Sequence, residues 1–109
     1  MRDETQERLG ANEAVFREIN EGIERGQWPG EEHAPVSFRC ECAQLGCNEM
    51  LELSVNEYEA VRAHPRRFMV RPGHEQLDVE VVIDARPGYL VVEKLDQAGI
   101  TAEDTDPRS

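Results

Sequence analysis

All three cysteines of the 109-residue chain lie within one short stretch, Arg39-Cys40-Glu41-Cys42-Ala43-Gln44-Leu45-Gly46-Cys47. Cys40 and Cys42 alternate, and alternate side chains of an extended strand point to the same side. Gly46 allows the backbone to fold back, so that Cys47 can approach the other two. Thiolates are soft ligands that favour zinc and related metals. The stretch therefore predicts three ligands of one metal ion at the tip of a β-hairpin.

A fourth ligand is expected from one of the three histidines. His74 follows a proline and a glycine in Arg71-Pro72-Gly73-His74-Glu75, a sequence typical of a tight turn. His33 lies in a linker upstream of the cysteines, and His64 lies at a helix end, where the helix dipole already favours a histidine. We predict a structural Zn²⁺ site with one ion per chain, and His33 and His64 remain alternative ligands. The predicted ligands are Cys40, Cys42, Cys47 and His74.

Other interpretations of the cysteines remain open. They could be small buried hydrophobic residues or redox-active thiols, and their odd number argues against a disulfide framework. The order Cys-x-Cys…Cys…His also resembles the CDGSH iron–sulfur proteins, whose two-iron cluster is held by three cysteines and one histidine. In this chain, however, 26 residues separate Cys47 from His74, and the compact Cys-Asp-Gly-His segment of that family is absent. Four protein ligands leave no position for a substrate, which favours a structural role.

The composition predicts a small acidic protein with a thin core. Hydrophobic residues make up 39% of the chain and charged residues 32%, and the formal net charge is −11. This charge disfavours binding to nucleic acids and to anionic membranes, and it favours a basic protein partner. No apolar run has the length of a membrane span, and the polar residues 1–7 are unlike a secretory signal. We therefore expect a cytoplasmic protein.

Residues 1–26 are predicted to form an amphipathic helix that ends near Gly26. Its apolar residues form a stripe along one side, while the remaining positions are mostly charged. The stripe either packs on the protein's own domain or binds a protein partner or a second copy of the chain. The tentative partner-binding residues are Leu9, Phe16, Ile19 and Ile23, with Val15 beside them. Residues 27–35, which include Trp28, are predicted to be a linker.

Residues 36–95 are predicted to form a zinc-binding α+β domain. Ser54 and Glu57 make a capping box that begins a helix, and Pro65 ends it. An Arg-Pro-Gly turn between the last two strands predicts a hairpin. The expected strands are residues 36–40, 50–53, 67–71, 78–85 and 89–94, and the acidic tail 96–109 is expected to be disordered. The fold class is thus α+β: an N-terminal amphipathic helix and a small, mainly antiparallel sheet with one helix, held together by the metal.

One basic group interrupts the acidic sequence. It consists of Arg62, Arg66, Arg67 and Arg71. Two interpretations are open: these arginines cover a solvated helix end with their aliphatic stems, or they form a small patch that binds an anion.

Several short segments carry a resemblance to a known family, and those between residues 38 and 75 make up the pattern FxCxC…C…EYExVR…PGHE. They are residues 12–21, 38–42, 57–62, 67–68, 72–75 and 91–94. Over most of its length the chain resembles a family of small, acidic, uncharacterised bacterial proteins that carry this pattern. The resemblance implies a bacterial protein, and it implies no activity.

These features together predict a zinc-stabilised cytoplasmic module that binds or regulates a protein partner through the N-terminal helix or the sheet. The alternative is a thiol or metal sensor, in which oxidation of the thiolates releases zinc and loosens the domain. The sequence has no Ser-His-Asp set, no phosphate-binding loop and no pair of carboxylates with a pocket signal, so we expect no enzymatic activity.

Overall fold

The computed structural model describes residues 2–27, 33–42, 44 and 46–108, with side chains from Ala14 onward. Trp28 and most of the predicted linker lie outside the described residues. The described chain is α+β, as predicted, with an N-terminal helix followed by two small antiparallel sheets. No helix in this part of the chain has both the length and the hydrophobicity needed to cross a membrane. In chain order, the elements are α1 (Arg2–Gly26), β1 (Val36–Arg39), β2 (Met50–Leu53), α2 (Val55–Arg62), β3 (Arg67–Val70), β4 (Glu80–Arg86), β5 (Tyr89–Lys94) and α3 (Asp96–Asp104).

The two sheets meet at the cysteine stretch. β1 and β2 form an antiparallel hairpin in which Arg39 pairs with Met50, so the cysteines lie at its tip, as predicted. In the second sheet β5 lies between β3 and β4, and both neighbours are antiparallel to it. Beyond the end of β1, the Glu41 N–H donates to the carbonyl of Met69 in β3 at 2.9 Å. Residues 40–42 therefore connect the hairpin to the edge of the larger sheet.

Short sequence motifs determine where α2 begins and where the chain turns between β4 and β5. The Ser54 hydroxyl accepts a hydrogen bond from the Glu57 N–H at 3.1 Å, and the Glu57 carboxylate accepts one from the Ser54 N–H at 2.9 Å. This reciprocal capping box satisfies N–H groups that a helix start leaves without intrahelical partners. Gly88, with a φ of 88°, completes the tight turn between β4 and β5, in a backbone conformation that favours glycine. The predictions of α2 and of this hairpin are confirmed.

The hydrophobic core takes residues from both sheets, from α2 and from α3. Phe38 of β1 stacks on Tyr58 of α2 with the ring centroids 4.5 Å apart, which joins the hairpin to the helix. Cys40 and Cys42 are themselves buried in this core. Because a core this small supplies only roughly 3–5 kcal/mol, other interactions must contribute to the stability of the fold.

A group of mostly buried charges joins α1, α2 and the C-terminal segment. The Arg62 side chain is fully buried, and its guanidinium contacts Asp106 at 2.5 Å and Glu21 at 3.5 Å. Arg108 contacts Glu21 at 2.5 Å, and Arg17 lies 3.8 Å from Asp106. We call these five residues the charge cluster. Their mutual pairing offsets the free-energy cost of burying ions.

The predicted disorder of the tail 96–109 is wrong for the part that the structure describes. Asp96–Asp104 form α3, and Gly99 is buried within it. A Cβ atom at Gly99 would lie 2.9 Å from the carbonyl oxygen of Lys94, so this close approach to the chain requires a glycine. Beyond α3, Asp106 is only 8% exposed and belongs to the charge cluster. A polar composition suggested disorder because composition does not reveal that these charges have buried partners.

Polar residues of α1 pack against the rest of the domain. Arg17, Asn20 and Glu21 share one helix face and are 0%, 0% and 6% exposed. The Arg17 guanidinium donates to the carbonyl of Ala102 at 3.1 Å and to that of Pro65 at 2.6 Å. The C-terminal half of α1 therefore packs on its own domain, but it does so through a polar face and not through the predicted apolar stripe.

The predicted apolar stripe of α1 lies mostly beside this contact face. Phe16 and Ile23 are partly buried, whereas Val15 is 53% and Ile19 is 38% exposed. The side chain of Leu9 lies outside the described residues. Binding of a partner by the stripe stays a prediction.

Candidate metal centre

Four side chains converge at the tip of the β1–β2 hairpin. Their potential ligand atoms, three sulfurs and one ring nitrogen, all lie within 4.8 Å of one another. Cys40 and Cys42 are buried, and Cys47 and His74 are partly buried. The structure thus brings together the four residues that the sequence predicts to be metal ligands, and this group could hold a metal ion.

Two distances within the group match those expected around a single tetrahedral ion. The Nδ1 atom of His74 lies 3.6 Å from the sulfur of Cys40 and 3.6 Å from the sulfur of Cys47. With Zn–S and Zn–N bonds of about 2.3 Å and 2.0–2.1 Å, two ligands at tetrahedral positions would lie about 3.5–3.6 Å apart. Nδ1 offers either one hydrogen or one lone pair, so a single undivided hydrogen bond explains only one of the two contacts. A metal ion shared by these ligands would account for both.

Backbone hydrogen bonds hold the cysteine stretch in place. The Cys40 N–H donates to the carbonyl of Glu49 at 3.0 Å, which continues the β1–β2 ladder by one residue. The Cys47 N–H donates to the carbonyl of Gln44 at 3.1 Å. Gly46, with a φ of 84°, provides the left-handed residue of this turn. The predicted role of Gly46, to fold the loop back, agrees with this geometry.

His74 is presented by a turn at the end of β3. Its N–H donates to the carbonyl of Arg71 at 2.9 Å across Pro72 and Gly73. Gly73 has a φ of 95°, and Pro followed by a left-handed glycine is the signature of a type II turn. The Glu75 carboxylate accepts a hydrogen bond from the Gly73 N–H at 2.7 Å and so braces the turn. The imidazole is therefore carried on a backbone whose shape is fixed locally.

Burial favours the protonated form of two of the thiols as long as no cation lies among them. Burial raises the pKa of the Cys40 thiol; a hydrogen bond from the Arg71 N–H acts in the opposite direction, and the Cys42 thiol raises the pKa further. Burial also raises the pKa of Cys42. A divalent ion among the sulfurs would reverse this effect, because it stabilises thiolates and releases their protons. The donor set, three sulfurs and one imidazole, therefore fits a thiolate-bound metal ion.

The two alternative histidines lie elsewhere. The Nδ1 atom of His33 is 3.4 Å from the side-chain nitrogen of Asn56. His64 is exposed in the turn that follows α2. Neither residue belongs to the group of converging ligand atoms.

The predicted basic group does not form one patch. Its four arginines pair with four different carboxylates, and only Arg62 is fully buried. The pairs are Arg62–Asp106, Arg66–Glu103, Arg67–Glu93 and Arg71–Glu49. These side chains serve as separate links between elements, an interpretation that the sequence did not suggest.

The residues that support the ligands are not among those predicted from the sequence. Asn20 of α1 and Glu41 are both fully buried and hydrogen-bonded to each other at 2.8 Å. The only available signal was the alternation of Cys40-Glu41-Cys42, which places the glutamate on the side opposite to the sulfurs. Asn20 had no such signal, because a polar helix residue is usually solvated.

Comparison of the chain with protein-family models, curated proteins and solved structures found no match. The predicted resemblance to a bacterial family therefore stays a prediction. The function has to be argued from the geometry and chemistry of the metal centre.

Proposed function

We propose that the protein is a small zinc-stabilised protein-binding module in which Cys40, Cys42, Cys47 and His74 hold one structural Zn²⁺. The observation that carries this proposal is the distance of 3.6 Å from the Nδ1 atom of His74 to two different sulfurs. Three thiolates and one imidazole form a standard ligand set for structural zinc.

A single zinc ion is favoured over a two-iron cluster. The four ligand atoms lie within 4.8 Å of one another. Ligands of a two-iron cluster are divided between two metal ions, so those on opposite irons lie farther apart than ligands that share one ion. The compactness of the group supports a mononuclear site, and its sulfur-rich donor set supports zinc over hard cations.

A structural role follows from the number of protein ligands. Four side chains complete a tetrahedral shell and leave no open position for water or substrate, so we propose a protein without enzymatic activity. The ion would tie the β1–β2 hairpin to the turn after β3. Coupled zinc binding and folding contributes on the order of 10 kcal/mol, which exceeds what a core of this size supplies.

The partner and the location are proposed from charge and cysteine chemistry. A net charge of −11 favours a basic protein as the partner. Val15 and Ile19 on α1 are exposed apolar residues beside charged ones and offer a contact surface. Three unpaired cysteines suit a reducing compartment, which supports a cytoplasmic location.

Metal analysis of the purified full-length protein tests the proposal. We expect about one zinc per chain and a colourless protein. His74→Ala should lose most of the zinc, because it removes one of four ligands. His64→Ala and His33→Ala are the matched controls and should keep it. A wild-type protein without metal would contradict the proposal, and visible absorbance with bound iron would favour a cluster instead.

A further inference from the structure

Asn20 on α1 is in direct contact with the segment that carries two of the cysteines. Its side-chain nitrogen donates to the carbonyl of Arg39 at 2.9 Å, and its side-chain oxygen accepts from the Arg39 N–H at 2.7 Å. One amide side chain thus pairs with both backbone groups of the last residue of β1, as a neighbouring strand would. Asn20 is fully buried, so these bonds form away from water.

The same amide fixes the residue that lies between Cys40 and Cys42. The Asn20 nitrogen donates to one carboxylate oxygen of Glu41 at 2.8 Å, and the Met69 N–H donates to the other at 3.1 Å. Glu41 is fully buried, and its own N–H is bonded to the Met69 carbonyl. Because successive side chains of an extended segment point to opposite sides, fixing Glu41 on one side fixes both sulfurs on the other.

Arg39 provides a second connection between α1 and the ligands. Its guanidinium lies 4.8 Å from the centre of the Phe16 ring on α1. The same guanidinium donates to the carbonyl of Cys47 at 2.8 Å. Side chains of α1 are therefore connected to three of the four proposed ligands through a single intervening residue, which is either Arg39 or Glu41.

We propose that α1 is a positioning element of the metal centre, with Asn20 as the residue that sets the direction of the Cys40 and Cys42 sulfurs. This inference rests on the proposed zinc site. Asn20 does not touch the ion; it acts through the backbone of Arg39 and the carboxylate of Glu41. Outer residues of this kind typically change metal affinity by about 10–100-fold when they are replaced. By linkage, a bound ion also strengthens the attachment of α1.

The test compares zinc affinity and ligand geometry in full-length variants. Asn20→Ala should bind zinc at least about tenfold more weakly in competition with a chromophoric chelator, and its Co²⁺ form should show shifted ligand-field bands. The control variant is Val92→Ala. Val92 is a fully buried core residue of β5 and pairs with Phe68 and Val82. Any loss of stability weakens zinc binding that is coupled to folding, so the control measures how much affinity is lost for this reason alone. The Co²⁺ spectrum of the control should match that of the wild type.

A double substitution guards against a variant that fails to fold. Asn20→Asp alone places two carboxylates together, whereas Asn20→Asp with Glu41→Gln restores one amide–carboxylate hydrogen bond in the reverse direction. The double variant should bind zinc more tightly than Asn20→Asp alone, as expected for coupled neighbours. The positioning proposal is wrong if Asn20→Ala keeps the zinc affinity and the Co²⁺ spectrum of the wild type. It is also wrong if the double variant binds zinc no more tightly than Asn20→Asp alone. In both cases the zinc site itself stands. A wild-type protein that binds no metal overturns both.

Discussion

The candidate metal centre and the charge cluster each bring together residues of several elements, but these residues are distributed very differently along the chain. The proposed ligands lie between Cys40 and His74, and three of them are clustered in one stretch. The charge cluster joins α1 to the C-terminal segment, and its Glu21–Arg108 pair spans 87 residues. A local concentration of one rare residue type is visible in a sequence. Pairs of common charged residues at long separation are not.

The two regions also differ in their energetics. Burial by itself would raise the pKa of Glu21, but hydrogen bonds from Arg108 and Tyr58 and the charge of Arg62 hold that pKa below its usual value. Such pairing mainly offsets the desolvation of the buried ions. A structural metal, in contrast, adds binding free energy from an external ion. The comparison therefore predicts an order of effects, with the metal centre first.

Removal of zinc should have the largest effect. Chelation with EDTA should unfold the domain or lower its melting temperature strongly, because structural zinc contributes on the order of 10 kcal/mol, about the whole stability of a small domain. Circular dichroism melts before chelation, after it and after zinc is restored would measure this. If the melting curve stays the same without zinc, the core and the charge cluster are sufficient to stabilise the fold. The charge cluster then contributes more to stability than the metal centre.

Arg62→Met should have the next largest effect. Its side chain is fully buried, and its loss leaves Asp106 and Glu21 without this cation, so we expect the free energy of unfolding to fall by about 3–5 kcal/mol. Urea denaturation of the zinc-loaded proteins measures the change. Arg66→Met is the control, because Arg66 pairs with Glu103 where both side chains are exposed and such pairs contribute little. Similar losses in the two variants would show that burial of the cluster is unimportant.

The smallest expected effect is a dependence on pH at the rim of the charge cluster. Partial burial and the neighbouring Glu59 carboxylate raise the pKa of Glu24 from 4.5 to about 7, while Arg108 acts in the opposite direction and Glu21 adds to the increase. The folded state therefore holds the proton more tightly than the unfolded state. The stability that this provides is complete below pH 4.5 and is lost as the pH rises through 7.

Denaturation midpoints between pH 5 and pH 8, at saturating zinc, would measure this dependence in the wild type and in Glu24→Gln. The substitution removes the titrating group, so the variant should lose less stability across that range than the wild type. Glu21, Glu59 and Asp106 have lowered pKa values, so their own titration falls below this range. Identical pH profiles would rule out Glu24 as the source.

Features that depend on neighbouring residues could be predicted from the sequence. The Ser54–Glu57 capping box and the turn that presents His74 are set by a few adjacent residues, so their local chemistry determines their shape. The convergence of the cysteines with His74 was predictable for a related reason, since a ligand set is chemically distinctive.

Features that depend on distant charges could not be predicted. Arg17, Asn20 and Glu21 look like a solvated helix face, and only the folded chain supplies their buried partners. For the same reason the order of the C-terminal segment could not be predicted, since Asp106, which lies beyond α3, is paired with Arg62 across 44 residues of sequence. Burial of polar groups depends on tertiary partners, which composition and periodicity do not encode.

The long span of the charge cluster also imposes an order on folding during synthesis. α1 is made first, but Glu21 must wait for Arg108, which is added 87 residues later. The proposed ligands are complete much earlier, once His74 has left the ribosome. Contacts that close long loops form late, because the chain must first lose the entropy of the intervening segment. The contact that joins α1 to the C-terminal segment is therefore among the last parts of the fold to form.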